Sequence, residues 1–167
     1  IEKPVCLEAE QHGSLTEMER SSHCVFIVNH TRRFDPAHQQ TARMVRSGDL
    51  GGFLGGRCTY YGGWMHNAIH AVDTLRMLFG EEPRVESAVV SPCGAGDQDL
   101  DVRLSLGDST VVMEGFDGSR YQLFESELRF ESGRIRLLDF GSEIRIERVE
   151  TNRVGELVLR EAEGSPL

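Results

Sequence analysis

This sequence has no apolar run near the roughly 18 consecutive residues that a membrane-spanning helix needs. It has no C-x-x-C pair either. Cys6, Cys24, Cys58 and Cys93 are scattered, which argues against a disulfide scaffold or a structural zinc site and fits reduced thiols in a cytosolic protein. Basic residues are in deficit. The 18 Lys and Arg face 27 Asp and Glu, a formal net charge of -9, which disfavours nucleic acid and anionic membrane surfaces as partners. Internal repeats and low-complexity tracts are missing too. The first residues, "IEKPVCLEAEQ", are too polar for a signal peptide, and the chain begins with Ile rather than Met, so it reads as part of something longer. What is there is a chain of 167 residues, 39% hydrophobic and 27% charged, enough for one globular domain with a real core. Small molecules and other proteins remain as partners.

The stretch from Leu7 to Arg20 is acidic and polar and predicts a helix broken near Gly13. Cys24 to His30, "CVFIVNH", is a short β-rich run with the pattern of a buried strand. Asp35 offers an N-cap and Pro36 a first helical residue, so a helix is predicted from Pro36 to about Ser47. "FLGGRCTYYGG" predicts a strand interrupted by glycines, and the helix after it ends at Gly80, with Pro83 shortly beyond. After Pro83 everything predicts sheet: "RVESAVVSP", "LDVRLSLGDSTVVMEGFD", "RYQLFESELRFESGRIRLLDF" and "SEIRIERVE", joined by Gly-Asp or Ser-Gly turns. From Glu143 apolar and charged residues alternate, giving that strand one wet and one buried face. Helices first and antiparallel strands second is the pattern of an α+β domain. Its large, open, mostly antiparallel sheet has too few helices to cover both faces, and pairing of two copies through the open face is the expected cover.

The run "GGWMHNAIHAVDTLRMLFG", Gly62 to Gly80, carries the most chemistry. At about 100° per residue, His66, His70, Asp73 and Met77 fall in one stripe, roughly 60° wide, opposite an apolar face. Asn67 and Thr74 border that stripe. A solvated polar face is one reading, although such faces usually carry Lys and Glu. A metal is another, from the i, i+4 spacing of His66 and His70. Asp73 lies roughly 10 Å along the axis from His66, too far to share one ion, and there is no H-E-x-x-H glutamate, so no metal is expected. In the third reading Asp73, three residues from His70, fixes the imidazole's tautomer and raises its basicity for use as a general base.

Glu2-Lys3-Pro4, then "VNHTRRFDP", then the His70 helix form an ordered set that resembles the Gfo/Idh/MocA family of NAD(P)-dependent sugar and inositol oxidoreductases. The tail "FESELRFESGRIRLLDFGSEIRI" is similar to that family's C-terminal domain. The resemblance implies a two-domain enzyme, with a Rossmann domain for the dinucleotide followed by a domain built on a large open sheet. Residues 1–34 would then be the last helix and strand of a truncated Rossmann domain, and residues 35–167 the substrate-binding and dimerisation domain. No G-x-G-x-x-G follows a strand, and "GGFLGG" is no substitute because it follows a helix. NAD or NADP is therefore expected in the full-length parent and none bound to this chain alone. The family's closing segment is expected to be absent or shortened after Leu167.

By the same resemblance, Glu2, Lys3 and Pro4 lie at the cofactor, Lys3 beside the nicotinamide and the reacting hydroxyl. His70 matches the family's general base. Where the family commonly has an aspartate for substrate hydroxyls, this chain has His66. His66, Asp73, Asn67, Arg33 and Trp64 are the expected substrate contacts. Arg33 can fork onto a carboxylate or phosphate, or pair with one of the many acidic residues. Trp64 and Tyr61 can stack on a sugar, though core packing is the commoner use. The expected function is oxidation of a hydroxyl of a sugar, inositol or related polyol, or the reverse reduction. The expected protein is cytoplasmic and a homodimer or tetramer joined through the open sheet. The rival expectation is a non-enzymatic sugar-binding or scaffold module of the same fold.

Overall fold

The computed structural model describes residues 1–91 and 97–162. Cys93 and Leu167 lie outside them. Three α-helices come first or interleave with the first strand: α1 (Ala9–Ser21), α2 (Pro36–Ser47) and α3 (Ile69–Phe79). The strands are β1 (Phe53–Tyr61), β2 (Arg84–Val90), β3 (Leu100–Leu106), β4 (Ser109–Phe116), β5 (Glu125–Phe130), β6 (Gly133–Leu138), β7 (Glu143–Thr151) and β8 (Leu157–Glu161). All eight form one sheet in the order β2-β3-β4-β1-β5-β6-β7-β8. Only β1 with β4 is parallel; the other pairs are antiparallel. The α+β architecture expected from the pattern is the one observed.

The core lies between one sheet face and the helices. Cys58 and Tyr60 of β1, Val111 and Met113 of β4, Leu128 of β5 and Ile135 of β6 meet Ala42 of α2 and Leu75 and Leu78 of α3. Alternation along the strands puts these residues on one side. In β7 the alternation read from sequence holds, with Ile144 and Ile146 buried. The α2 helix begins as predicted: the Asp35 carboxylate accepts from the His38 backbone N–H at 2.8 Å, and Pro36 supplies no orphan donor. Gly80 ends α3 in the left-handed region, φ 73°.

Several expectations fail. The α1 helix runs through Gly13 unbroken, since one glycine costs only about 1 kcal/mol. It is closed at its start by Gln11, whose side-chain oxygen accepts from Leu7 N and Glu8 N. Cys24–His30 is extended but joins no sheet, and Val25 and Ile27 are 84% and 59% exposed. Its pairing is to one residue, with Ile1 N donating to Ile27 O and Asn29 N to Ile1 O. No strand of the sheet lies beside it, and only Phe26 and Val28 among its apolar residues are partly buried. Residues 120–124 are not strand; Phe124 instead tucks under Arg32, whose Cζ stands 4.9 Å from the ring centroid. Strand β8 continues the sheet beyond the quoted stretches.

The open sheet face carries charge. It is a lattice of ion pairs: Arg57 with Glu114, Arg134 with Glu127 and Glu147, and Arg136 with Glu147. Leu54, Val89, Leu157 and Leu159 on the sheet strands are also exposed. Among the described residues no helix is long and apolar enough to cross a membrane.

Candidate active site

Strand β1 leads through Gly62 and Gly63 into a single π-helical turn, Trp64–Ala68, and then into α3. The wide turn is fixed by two carboxylates from the loop before β3. Asp99 Oδ1 accepts from Gly63 N at 2.8 Å, and Asp97 accepts from Met65 N at 3.1 Å and His66 N at 2.7 Å. A side chain at position 63 has no room, because its Cβ would stand 2.2 Å from Asp97 Oδ2, and φ there is +96°. Burial, with Asp97, Asp117 and Asp101 nearby, holds the Asp99 carboxyl above the usual carboxylate range. Sequence reasoning missed Asp97 and Asp99. The alternating acids of "DQDLD", which share one side of an extended chain, were the available signal.

The π turn breaks the 100° step assumed for the stripe. His66 is exposed and Asp73 is buried, so the four stripe residues do not share one environment. Asp73 lies under the 3₁₀ turn Thr31–Phe34, where Arg33 grips it with Nε at 2.9 and 3.0 Å and Nη2 at 2.7 Å. That hydrogen bonding raises the Arg33 pKa further. The second neighbour of Asp73 is His30, whose Nδ1 is 3.5 Å from Oδ2. The expected His70–Asp73 hydrogen bond is not formed, because Arg33 occupies the carboxylate.

His70 instead faces His30, ring centroids 6.1 Å apart and planes at 84°. Burial, the Lys3 and Arg32 cations and His30 push the His70 pKa down to about 4, with Asp73 opposing. Burial lowers His30 as well, against the pull of Asp73. Both rings are therefore neutral near pH 7. Lys3, the chain's only lysine, arrives from the far end of the sequence and donates through Nζ to the His66 carbonyl oxygen. Glu2 Oε1 accepts from Asn29 Nδ2 at 2.7 Å, and Pro4 is half-buried behind a cis Lys3–Pro4 bond. Asn67 Nδ2 donates to Tyr61 O at 2.8 Å, which ties it to the end of β1. Trp64 and Tyr61 pack against the core, Trp64 edge-on to Tyr60 at 6.1 Å.

Lys3, His66, His70, Asp73, Arg33 and His30 are thus brought together from three parts of the chain. Among the described residues no three His, Cys, Asp or Glu side chains stand close enough to hold a metal ion. A dinucleotide needs free amide groups at a glycine turn to hold its phosphates. Gly62–Gly63 is such a strand-to-helix turn, but the Gly63, Met65 and His66 amides are already taken by Asp99 and Asp97. These residues do not fit a pyrophosphate.

No family model and no curated protein matches the chain. Solved structures do match. Levoglucosan dehydrogenase in complex with NADH and L-sorbose superposes with a TM-score of 0.75 at 18% identity, over 96% of this chain and 52% of that one. An aldose-aldose oxidoreductase from Caulobacter crescentus complexed with glycerol gives 0.75 at 16%, over 99% and 56%. A dehydrogenase, MviM, from Clostridium difficile gives 0.70 at 15%, over 98% and 54%. The chain spans about half the length of each of these structures. They are Gfo/Idh/MocA-type oxidoreductases, and this chain has the fold of about half of such an enzyme.

Proposed function

We propose that this chain is the substrate-binding part of an NAD(P)-dependent oxidoreductase that oxidises a hydroxyl of a sugar, inositol or related polyol, or reduces the ketone. The observation that carries the reading is His70: a half-buried, neutral imidazole with Lys3 beside it. A neutral imidazole can accept the hydroxyl proton, and the Lys3 ammonium stabilises the developing alkoxide. When bound, the nicotinamide ring supplies the acceptor for the hydride leaving the same carbon. Asp73 is committed to Arg33, so its part is to hold that wall rather than to touch His70. His66, exposed where the family commonly has aspartate, suits an acidic sugar better than a carboxylate would.

In this reading residues 1–34 belong with the cofactor domain and residues 35–167 form the substrate domain of a cytoplasmic parent. The absence of any buried residue in α1 supports that division. A homodimer or tetramer through the open sheet is part of the proposal, supported now by charge. A face carrying both Arg and Glu is complementary to itself across a two-fold axis. The second reading, a sugar-binding or scaffold module without redox chemistry, is favoured by the occupied amides at Gly63. The test is His70→Ala in the protein that contains the dinucleotide domain. Turnover should fall by about 10² or more; near-normal turnover removes His70 from the mechanism.

A further inference from the structure

We propose that the groove between α2 and α3 binds a small molecule bearing a phosphate or pyrophosphate group, through Arg43 and Arg46. The groove has a volume of about 430 Å³ and is lined by Arg33, Gln39, Arg43, Arg46, Arg76 and Met77 among its side chains, with no acidic residue. In a chain with 27 acidic and 18 basic residues, four arginines around one groove, two of them without a carboxylate partner among the described residues, are a local reversal of charge. The volume is that of a small-molecule site, within the ordinary range of about 300–1,000 Å³.

The charge count sets the class of ligand. Arg33 is balanced by Asp73, and Arg76 by Glu82, in each case through Nε and Nη2. Each keeps its Nη1 donors. Arg43 and Arg46 have no ion-pair partner among the described residues, and Arg46 uses only its Nε, on the Ala42 carbonyl. Two uncompensated cations therefore share the groove. Three residues apart on α2, they present the same face and repel each other. Placement in the last turn of a helix accounts for Arg46 and Arg76, since a cation there offsets the macrodipole. It does not account for Arg43, a turn earlier, or for the missing acids. A phosphate monoester carries about two negative charges and three acceptor oxygens. That matches two arginines with forked donors better than a single carboxylate does. This site does not depend on the oxidoreductase reading.

The test is calorimetry of the whole chain at low ionic strength with inorganic pyrophosphate, and with acetate as the single-charge control. Saturable one-to-one binding of pyrophosphate is expected, weakening as salt is added. Arg43→Gln with Arg46→Gln should weaken it by at least about tenfold. Both residues are exposed and Gln keeps helix propensity, so an unchanged circular dichroism melt will certify the fold. Arg57→Gln, on the opposite sheet face, should leave binding within about twofold. The proposal is overturned if no saturable heat appears up to millimolar pyrophosphate, if acetate binds as well, if the double variant binds like the parent, or if Arg57→Gln weakens binding as much.

Discussion

Arg33 and Asp73, forty residues apart, form a forked ion pair that closes the turn Thr31–Phe34 over α3. Asp73 is 6% exposed, so removing the guanidinium leaves a carboxylate with little water and no hydrogen-bonded cation. Arg33 is itself 40% exposed at the side chain, which discounts the pair from a fully buried one. Arg33→Ala should cost about 1–2 kcal/mol in denaturant unfolding, and Asp73→Asn less, since an amide needs no counterion. Equal stability of Arg33→Ala and the parent would show that the pair holds nothing.

The imidazoles make stability depend on pH. The folded His70 has its pKa pushed down to about 4, from an ordinary value of 6.5. Between those values the unfolded chain binds the proton that the folded one refuses, so stability rises with pH across the window. The contribution is complete above about 6.5 and is lost as pH falls towards 4. His30 acts in the same direction. Melting temperatures measured from pH 7 down to 4 should fall, and the slope should flatten in His70→Phe. An unchanged slope would mean that His70 titrates as it does in water.

Tyr60 fixes the centre of the sheet to the start of β3. Its hydroxyl donates to Leu100 O and accepts from Leu100 N, both at 2.7 Å, inside the core. Tyr60→Phe would leave two backbone groups unmet, at a cost of about 1–3 kcal/mol. A midpoint shift in urea with an unchanged slope would register the loss, whereas no shift would show that water replaces the hydroxyl.

In the 167 residues alone, the turn at Gly62–Gly63 should hold neither NAD nor NADP. The strand-to-helix amides that might hold phosphates are committed to Asp97 and Asp99. Micromolar binding of either nucleotide to this chain in calorimetry, competing with nothing in the α2–α3 groove, would refute this.

Features with local causes were legible in the sequence. The α2 helix carries its own start and stop in Asp35, Pro36 and Gly48, and all three behave as their chemistry dictates. The alternation in β7 reports its two faces directly. What failed was set by partners distant in sequence. The pitch change at Trp64–Ala68 comes from carboxylates more than thirty residues downstream, which no periodicity within the helix can signal. His70 and Asp73 are correctly spaced to meet, but Arg33 outcompetes the imidazole for the carboxylate. Strand β8 is mostly exposed, so its sequence lacks the alternation that betrays a buried face. The "CVFIVNH" run has strand composition, yet composition does not supply a neighbouring strand.

The place of β1 in the sheet has a consequence for how the chain assembles. Strands β2, β3 and β4 form one meander and β5 to β8 another, each closed by short antiparallel connections. The two meanders share no edge. They are joined only because β1, made before either, slots between β4 and β5. A ribosome therefore delivers the keystone first and must wait for both halves of the arch. Until then β1 waits with both of its edges unmet. Closing it against β4 and then β5 requires loops of some fifty to seventy residues, so this insertion is the slow, non-local event in folding.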